Sequence, residues 1–541
     1  MSELNETQLR REIARRRTFA IISHPDAGKT TLTEKLLLYG GAIRQAGAVR
    51  ARRAARHATS DWLALERQRG ISVSSSVMTF EHDGMRVNIL DTPGHHDFSE
   101  DTYRTLTAAD SAVMLIDAAK GVEPQTRKLF KVCRMRGIPI FTFVNKMDRH
   151  GRDPLELMGE IEEVLGIHAT PINWPVGAGP SFRGVYDRMA RQLHLFEGGS
   201  HGAEQVVERV VEGEATSPEL TDALGDQAKE LIDSLELLAG AGEAYDAGKV
   251  ARGELSPLFF GSALTNFGVL PFLQRFLDMA PAPYARPSDA GPIDPAAAGF
   301  SGFVFKIQAN MDADHRDRIA FVRVCSGQFK KGEQTSHVRT GKKLRLANST
   351  LLMARDRQDV EEAFPGDVVG LFDPGIFRIG DTLADKGGFR FEGIPSFSPE
   401  HFVRVRVAEV ERRKSLAKGL DQLTQEGLVQ LFSEPGAGSA APILGAVGPL
   451  QFDVLKFRLQ SEYNVELKLD PVNFKVARWP QGDWDHPALR QSLSIKVVED
   501  RERRPVLLFE NRHMMRWILD KYPGMELADT GDGAPLGEGE S

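Results

Sequence analysis

Cysteine is scarce in this sequence, with only Cys133 and Cys325 among 541 residues. Two cysteines cannot form a disulfide framework, and no group of Cys and His residues has the spacing of metal ligands. Disulfide-stapled secreted folds and zinc modules are therefore excluded. We interpret both thiols as small buried residues and expect a cytoplasmic protein.

Long apolar runs are also missing, since none approaches the roughly 18 residues of a membrane span. The N-terminus, MSELNETQLRREIARRRT, has no apolar core of a signal peptide. A net charge of −7 argues against a protein coated in nucleic acid, yet basic runs occur at 9–18, 49–57 and 339–346. Such runs are typical of solvated surfaces, but they also permit local contact with a phosphate-rich partner. We expect no membrane and no DNA partner, and a monomer.

The length predicts roughly three or four domains. From Thr18 onward, short apolar runs such as TFAIIS, RVNILD, SAVMLID and PIFTFVN alternate with helical patterns. This order predicts an α/β domain with a parallel sheet covered on both faces. The polar stretch at about 190–255 interrupts the pattern and is interpreted as an insertion.

A Pro- and Ala-rich segment at 280–299 is interpreted as a linker, and the pattern of predicted strands and helices changes after it. Short strands separated by turns predict a β-barrel, and from about Pro399 a mixed order predicts a split β-α-β domain. The predicted division is an N-terminal extension 1–13, a nucleotide-binding domain 14–283, a linker 284–299, a β-barrel domain 300–392, an α+β domain 393–522 and a disordered acidic tail 523–541.

The stretch SHPDAGKT at 23–30 lies between a predicted strand and a predicted helix. It departs from the phosphate-loop pattern G-x-x-x-x-G-K-[ST] because Ser23 occupies the first glycine position. Backbone N–H groups at a helix N-terminus can hold phosphate oxygens. Lys29 would reach the β- and γ-phosphates, and Thr30 would bind Mg²⁺. Alone, the stretch could equally be an ordinary turn.

Two further motifs follow strands in the order that a nucleotide site requires. DTPGHHDF at 91–98 offers Asp91 to Mg²⁺ through water and the Gly94 N–H to the γ-phosphate. NKMD at 145–148 offers the Asp148 carboxylate to guanine N1–H and its exocyclic amine. Adenine has no such donor pair, so the motif favours guanine over adenine.

A fourth motif, GSAL at 261–264, offers Ser262 and the Ala263 N–H to the purine O6 atom. Ligands of doubly wound sheets bind at the carboxyl ends of strands, where all four motifs fall. The sequence therefore predicts a GTP/GDP site. The candidate phosphate-binding residues are Ser23, His24, Pro25, Asp26, Ala27, Gly28, Lys29, Thr30, Thr31, Asp91, Thr92, Pro93 and Gly94. The candidate guanine-binding residues are Asn145, Lys146, Asp148, Ser262 and Ala263.

At this point the sequence resembles the translational GTPases. RQRGISV at 67–73 resembles their switch I, with Ser72 in place of the usual Mg²⁺-binding threonine, and DTPGH resembles their switch II. WLALERQRGISVSSSVMTF, DFSEDTYRTLTAAD, GFVFKIQANMDADHRDRIAF and GPLQFDVLKFRLQSEYNVE are similar to the bacterial class-II release factors. This resemblance covers about residues 12–525.

The resemblance implies a P-loop GTPase domain followed by a β-barrel domain and a mixed α+β domain. It also implies a ribosome-stimulated GTP hydrolase that removes class-I peptide chain release factors from the ribosome after peptide release. His95 would be the catalytic residue, and Thr30 and Ser72 would bind Mg²⁺. His96 stands where an acidic residue is expected after the histidine.

Two other classes stay open at this stage. One is a translocase of the elongation factor G type or a ribosome-protection protein, although those carry further domains beyond a third. The other is a GTP-gated scaffold that acts without ribosomes, although no lipidation signal or amphipathic anchor is evident.

Overall fold

A computed structural model describes most of the chain. The described residues are 6–42, 74–196, 208–309, 318–346, 349–353, 356–392, 398–407, 410–435, 441–482, 484–492 and 494–529. The basic run 49–57 and the switch I candidate 67–73, with Ser72, lie outside these ranges. Within them, no helix combines the length and apolarity needed to cross a membrane.

The N-terminal part is a seven-stranded sheet with the order β2-β3-β1-β4-β5-β11-β6. All its neighbours pair in parallel except β2 and β3, which form an antiparallel hairpin. Its strands are β1 (Arg16–Ser23), β2 (Ser76–His82), β3 (Met85–Asp91), β4 (Ser111–Asp117), β5 (Ile140–Asn145), β6 (His168–Pro171) and β11 (Leu255–Phe260). Central strands such as β1 are buried on both faces, which explains their continuous apolar runs.

Nine helices belong to this part of the described chain. They are α1 (Glu6–Ala14), α2 (Lys29–Tyr39), α3 (Ser99–Ala108), α4 (Pro124–Met135), α5 (Pro154–Leu165), α6 (Pro218–Leu224), α7 (Gln227–Ala241), α8 (Ala247–Ala251) and α9 (Val269–Met279). Phe272 and Phe276 of α9 lie on one helix face and make edge-to-face contacts with Phe143 and Phe141 of β5. These contacts fix α9 against the sheet.

A separate four-stranded antiparallel sheet, with the order β10-β9-β8-β7, overlaps the start of the predicted insertion. Its strands are β7 (Asn173–Val176), β8 (Gly184–Asp187), β9 (Gln192–Phe196) and β10 (Glu208–Glu212). The departure from the parallel pattern thus begins before residue 190, at Asn173. Strands of four or five residues give too short a pattern to be detected in the sequence.

The second part is an eight-stranded antiparallel sheet with the order β16-β15-β21-β12-β13-β20-β17-β18, together with the pair β14-β19. This architecture agrees with the predicted barrel. The strands are β12 (Ser301–Ala309), β13 (Arg318–Ser326), β14 (Phe329–Lys330), β15 (Gln334–His337), β16 (Lys342–Arg345), β17 (Ser349–Met353), β18 (Asp356–Asp359), β19 (Glu362–Ala363), β20 (Val368–Phe372) and β21 (Thr382–Ala384).

The third part begins with a β-α-β-β-α-β unit whose sheet order is β23-β24-β22-β25, which agrees with the predicted split β-α-β fold. Its elements are β22 (His401–Val407), α10 (Arg413–Gln425), β23 (Gln430–Phe432), β24 (Ile443–Ala446), α11 (Leu450–Tyr463) and β25 (Leu467–Pro471). The helix α10 packs on α11 through Leu459 and Tyr463, which leave no room for a side chain at Gly419.

A second sheet, with the order β27-β28-β26-β29, completes this part and was not predicted. It comprises β26 (Val476–Gly482), α12 (Pro487–Gln491), β27 (Ile495–Glu499), β28 (Pro505–Phe509), α13 (Arg512–Lys521) and β29 (Met525–Ala528). The prediction of a disordered tail from residue 523 is therefore wrong for 523–529. Met525 is buried, and β29 pairs with β26, so pairing on an edge strand overrides the acidic, glycine-rich composition. Residues 530–541 lie outside the described part.

The predicted linker is packed between the first two parts. Arg286 Nη2 donates to Asp110 Oδ1 at 2.7 Å, and the other oxygen of Asp110 accepts from Arg323 Nη2 of β13 at 2.6 Å. A second buried ion pair joins Arg16 Nε of β1 to Asp367 Oδ2 at 2.9 Å. The first part and the barrel therefore share a polar, hydrogen-bonded interface.

Candidate functional site

The four motifs found in the sequence meet at one edge of the main sheet. They follow β1, β3, β5 and β11, which are mutually parallel members of the order β3-β1-β4-β5-β11. Parallel strands present their carboxyl ends at the same edge, so the motifs form one cluster. This placement agrees with the predicted position of the motifs at the carboxyl ends of strands.

The loop between β1 and α2 has the backbone conformation of a phosphate cradle. Asp26 and Gly28 adopt positive φ angles of 67° and 100°. At Gly28 a Cβ atom would lie 2.3 Å from Asn145 Nδ2, so only glycine fits there. The N–H groups at the start of α2 are left for a ligand because Gly28, the residue before the helix, provides no side-chain cap.

Ser23, the departure from the glycine pattern, ends β1 and is buried. Its hydroxyl oxygen has no hydrogen-bond partner among the described residues. An unpartnered buried hydroxyl costs free energy unless a ligand or water satisfies it. The hydroxyl at the base of the loop is therefore available to a bound group.

Lys29 and Asp91 form the charged centre of the cluster. Lys29 Nζ donates to Asp91 Oδ1 at 2.5 Å, and both side chains are buried. Thr33 Oγ1 lies 3.5 Å from the same carboxylate oxygen. Thr92, the next residue, donates from Oγ1 to the Ile21 carbonyl at 2.7 Å and so holds the segment after β3 against β1.

The amide of Asn145 connects the loop to the fourth motif. Its Nδ2 donates to the Ala27 carbonyl at 2.8 Å, and its Oδ1 accepts from the Ala263 N–H at 2.9 Å. In this structure Asn145 therefore acts as a bridge between two backbone segments. The sequence predicted it as a guanine-contacting residue and did not predict this role.

Lys146 contacts a residue that sequence reasoning missed. Its Nζ donates to the Asp26 carbonyl at 2.5 Å and to Asp117 Oδ2 at 2.7 Å. Burial by itself would raise the pKa of the Asp117 carboxyl, but hydrogen bonds from Lys146 and the Ala119 N–H lower it below its usual value. One signal in the sequence could have identified Asp117: it ends the strand SAVMLID, which lies between β1 and β5 in the sheet.

Asp148 is oriented by the fourth motif. Ser262 Oγ donates to Asp148 Oδ1 at 2.6 Å, and the Ser262 hydroxyl in turn accepts from the Thr265 N–H at 3.3 Å. Only one carboxylate oxygen is engaged in this way. The carboxylate is thus held by a neighbouring loop and retains acceptor capacity for a base.

Gly94 and His95 end the DTPGH segment of the second motif. A Cβ atom at Gly94 would lie 3.6 Å from Pro25 Cα, so Gly94 faces the phosphate loop closely. The ring of His95 is turned toward its own chain, because Nδ1 accepts from the Asp97 N–H at 3.2 Å. The acidic partner of His95 is therefore Asp97, two residues on.

His96 contacts a different part of the domain. Its Nε2 lies 3.1 Å from Lys128 Nζ of α4. Burial and the Lys128 charge lower the pKa of His96. His96, which stands where an acidic residue was expected, therefore favours its neutral form and contacts α4.

A glycine-containing phosphate loop, a carboxylate beside its lysine and an N-K-x-D motif at one sheet edge define the class: this is a P-loop GTPase. Three family models divide the chain accordingly. The Elongation factor Tu GTP binding domain matches 14–282, Elongation factor G domain 2 matches 299–386, and Class II release factor RF3, C-terminal domain, matches 391–519.

Curated relatives cover nearly the whole chain. A Symbiobacterium thermophilum protein named Peptide chain release factor 3 is 59% identical over 515 residues, which is 95% of this chain and 97% of the relative. Proteins of the same name from Gloeothece citriformis and Microcystis aeruginosa are 52% and 53% identical, covering 99% and 97% of this chain and 98% and 96% of theirs.

A solved structure has a similar fold. A crystal structure of a Thermus thermophilus protein superposes with a TM-score of 0.68 and 25% identity, covering 90% of this chain and 72% of that one. The chain belongs to the peptide chain release factor 3 family. It is accordingly a GTP-binding enzyme that hydrolyses GTP in translation termination, and an elongation factor G-like translocase is not favoured.

Proposed function

We propose that this chain binds the ribosome at termination and uses GTP to dissociate class-I peptide chain release factors after the peptide has been freed. The observation that carries the proposal is the match of relatives named Peptide chain release factor 3 over nearly the full length of both chains. The geometry of the guanine site supports the GTP dependence. We also propose a monomer in the cytoplasm with no membrane or DNA partner.

The proposed roles of the site residues follow from their positions. The backbone of the loop 23–28 and the start of α2 hold the phosphates, while Lys29 neutralises the β- and γ-phosphates. Among the described residues, Lys29 forms an ion pair with Asp91. Phosphate oxygens would compete with that carboxylate for the ammonium group.

Magnesium fits the donors that the fold collects beside the loop. Mg²⁺ prefers oxygen ligands, and the buried Asp91 carboxylate reaches the first turn of α2, where Thr30 lies. Thr30 and Ser72 would bind the ion directly, and Asp91 would bind it through water. The ion would neutralise charge on the phosphates, and the chain's own residues would orient water and base.

Base selection would rest on Asp148, which Ser262 orients, and on the amide of Asn145 and the Ala263 N–H. The stem of Lys146 would lie along the ring face. His95 would orient the attacking water. We infer that His95 is held back in the free protein and is brought to the γ-phosphate by ribosomal RNA, so that free protein hydrolyses GTP slowly.

The proposed domain bounds are those of the sequence analysis, with two changes that the described residues suggest. The inserted sheet starts at Asn173, and the third domain extends to Asp529. The switches would report the nucleotide state through Gly94 and Ser72, and the second and third domains would move against the first.

The test combines two assays on purified ribosomal termination complexes. GTP hydrolysis is measured with and without ribosomes, and dissociation of a labelled class-I factor is followed in the same samples. The proposal expects stimulation together with factor release that requires GTP. Stimulation without release would indicate a translocase-like factor, and no stimulation would indicate a GTP-gated scaffold; either result would overturn the proposal. His95→Ala should abolish most of the stimulation.

A further inference from the structure

We propose that Asp97 is a positioning residue through which the third domain controls the orientation of His95. Such control would couple docking of the third domain to the GTPase centre, and it rests on the proposed role of His95. Asp97 contacts both His95 and the third domain.

The first contact is with His95 itself. The Asp97 N–H lies 3.2 Å from His95 Nδ1, and Asp97 Oδ1 lies 3.2 Å from the same ring nitrogen. A neutral ring accepts the backbone N–H at Nδ1 and carries its proton on Nε2. A protonated ring donates from Nδ1 to the carboxylate. Asp97 therefore fixes the ring orientation in either protonation state.

The second contact is with the N-terminus of α11 in the third domain. Asp97 Oδ2 accepts from the Leu450 N–H at 2.7 Å. Pro449, which precedes the helix, has no side-chain acceptor and provides no cap. The carboxylate from the GTPase domain therefore supplies the cap that α11 lacks, and its negative charge suits the positive end of the helix.

The loop before α11 is held rigidly for this contact. Gln451 Oε1 accepts from the Val447 N–H at 2.8 Å and the Gly448 N–H at 3.0 Å, and its Nε2 donates to the Leu428 carbonyl at 2.7 Å. Because these backbone groups are fixed to one another, a shift of α11 moves the whole loop. If the loop moves, Asp97 must move with it to keep its hydrogen bond to the Leu450 N–H.

Packing makes the same connection sterically. A Cβ atom at Gly448 would lie 2.2 Å from Asp97 Cγ, so the third domain closes directly on this side chain. The neighbouring Phe98 packs with Val454 of α11 in a small apolar cluster. The short 3₁₀ helix His96–Phe98 is thus seated against α11 by both polar and apolar contacts. Rotation of the third domain would therefore either break these contacts or displace the 3₁₀ helix.

The first experiment measures the orientation of His95 without ribosomes. The full chain is labelled with ¹³C,¹⁵N-histidine, and the His95 ring signals are assigned by their loss in His95→Ala. Gly448→Ala should shift these signals although residue 448 does not touch the ring. The control Gly388→Ala, where an added Cβ meets nothing within 4 Å, should leave them in place. Unmoved signals in folded Gly448→Ala would overturn the proposal.

A second variant guards against misfolding of Gly448→Ala. Val454→Ala removes methyl groups beside Phe98 and adds no atom, so it should shift the same ring signals by a smaller amount. Far-ultraviolet circular dichroism and a thermal melt establish that each variant is folded. If Val454→Ala and Gly448→Ala both left the His95 ring unaffected, domain docking would not control it.

The second experiment is a kinetic cycle. Gly448→Ala should lower kcat for ribosome-stimulated hydrolysis by about ten- to a hundredfold, because a misplaced catalytic group costs that much, while KM for GTP stays within about twofold. In a His95→Ala background Gly448→Ala should add no further loss of kcat. Additive losses would mean that Gly448→Ala acts independently of His95 and would overturn the proposal. A wild type that ribosomes do not stimulate would instead overturn the proposed function, with the ring measurement still deciding the coupling.

Discussion

At the residue scale, the proposed selection of guanine over adenine depends on a few side chains. In the proposed site, Asp148 would decide base choice, because its carboxylate can accept from two adjacent guanine donors. Ser262 occupies one of its oxygens at 2.6 Å and fixes its orientation. An amide in the same place would offer a donor where an acceptor is needed.

We expect Asp148→Asn to weaken GDP binding by about 1–3 kcal/mol, or roughly five- to 150-fold, because a guanine donor loses its acceptor. Binding of xanthosine diphosphate, which carries an oxygen at the 2-position, should weaken less or improve. Fluorescent-nucleotide titration measures both. The matched control is Asp153→Asn. Asp153 caps α5, and its substitution should change neither affinity, since Asn caps helices as well as Asp does. Equal losses for both nucleotides would contradict the assignment of Asp148.

The residues of the site could be predicted to different degrees. Lys29, Gly94 and Asp148 stand in short motifs, and their placement at one sheet edge agrees with the prediction. Asp97 could not be predicted, because its partner, the Leu450 N–H, is distant along the chain. Asp117 was missed although it ends a strand, because its contact with Lys146 is also made across the fold. A contact set by tertiary packing leaves no local spacing to detect.

At the element scale, the junction between β1 and α2 is the most constrained part of the site. Gly28 combines a positive φ of 100° with a backbone that approaches Asn145 closely. Gly41, which follows the same helix, also has a positive φ, of 69°, but an added Cβ would meet nothing within 4 Å. Substitutions at the two glycines therefore distinguish the effect of backbone strain, which both share, from that of steric conflict, which arises only at Gly28.

Gly28→Ala should abolish measurable GDP binding and lower the melting temperature, because the new methyl group would displace Asn145 from the Ala27 carbonyl. Gly41→Ala should cost about 1–3 kcal/mol of stability from backbone strain and leave GDP affinity unchanged. Thermal melts and nucleotide titration on both variants check this. If Gly28→Ala bound GDP normally, the loop would not be the phosphate site.

Elements with strong periodicity were predictable, and short or edge elements were not. The helices α2, α4 and α5 and the strands β1, β4 and β5 follow from apolar runs and helical spacing. The inserted sheet β7–β10 has strands of four or five residues, too short for a period to show. The strand β29 has only four residues and follows Gly524, and it forms because β26 offers it an edge.

At the scale of the whole molecule, the interface between the GTPase domain and the barrel is polar and charged. Asp101 of α3 accepts from the Ser75 N–H and the Ser75 hydroxyl, each at 2.6 Å, and lies 3.5 Å from Lys306 Nζ of β12. Burial opposes the charged form, but Lys306 and the Ser75 hydrogen bonds lower the pKa of Asp101 below its ordinary value of 3.8.

A lowered pKa in the folded chain makes a signed prediction about stability. The contribution of ionised Asp101 is complete above the pKa of the unfolded chain and is lost as the pH falls through the lower folded value. The free energy of unfolding of the wild type should therefore fall more steeply below about pH 4 than that of Asp101→Asn. Urea unfolding from about pH 3 to about pH 6, on both sides of the carboxyl titration, measures the two slopes.

The control for this comparison is Asp233→Asn, which removes an exposed carboxylate from α7. It should reproduce the wild-type slope. Identical slopes for the wild type and Asp101→Asn would show that the contact with Lys306 does not stabilise the interface.

In the proposed site, the Asp148 carboxylate binds guanine while the backbone of the loop 23–28 binds its phosphates. The most direct measurement is an equilibrium titration of the nucleotide-free chain with labelled GDP and with labelled ADP. We expect saturable GDP binding and ADP binding at least about a hundredfold weaker, because adenine leaves the half-buried Asp148 carboxylate without its two donors. Equal affinities for GDP and ADP, or binding of neither, would contradict it.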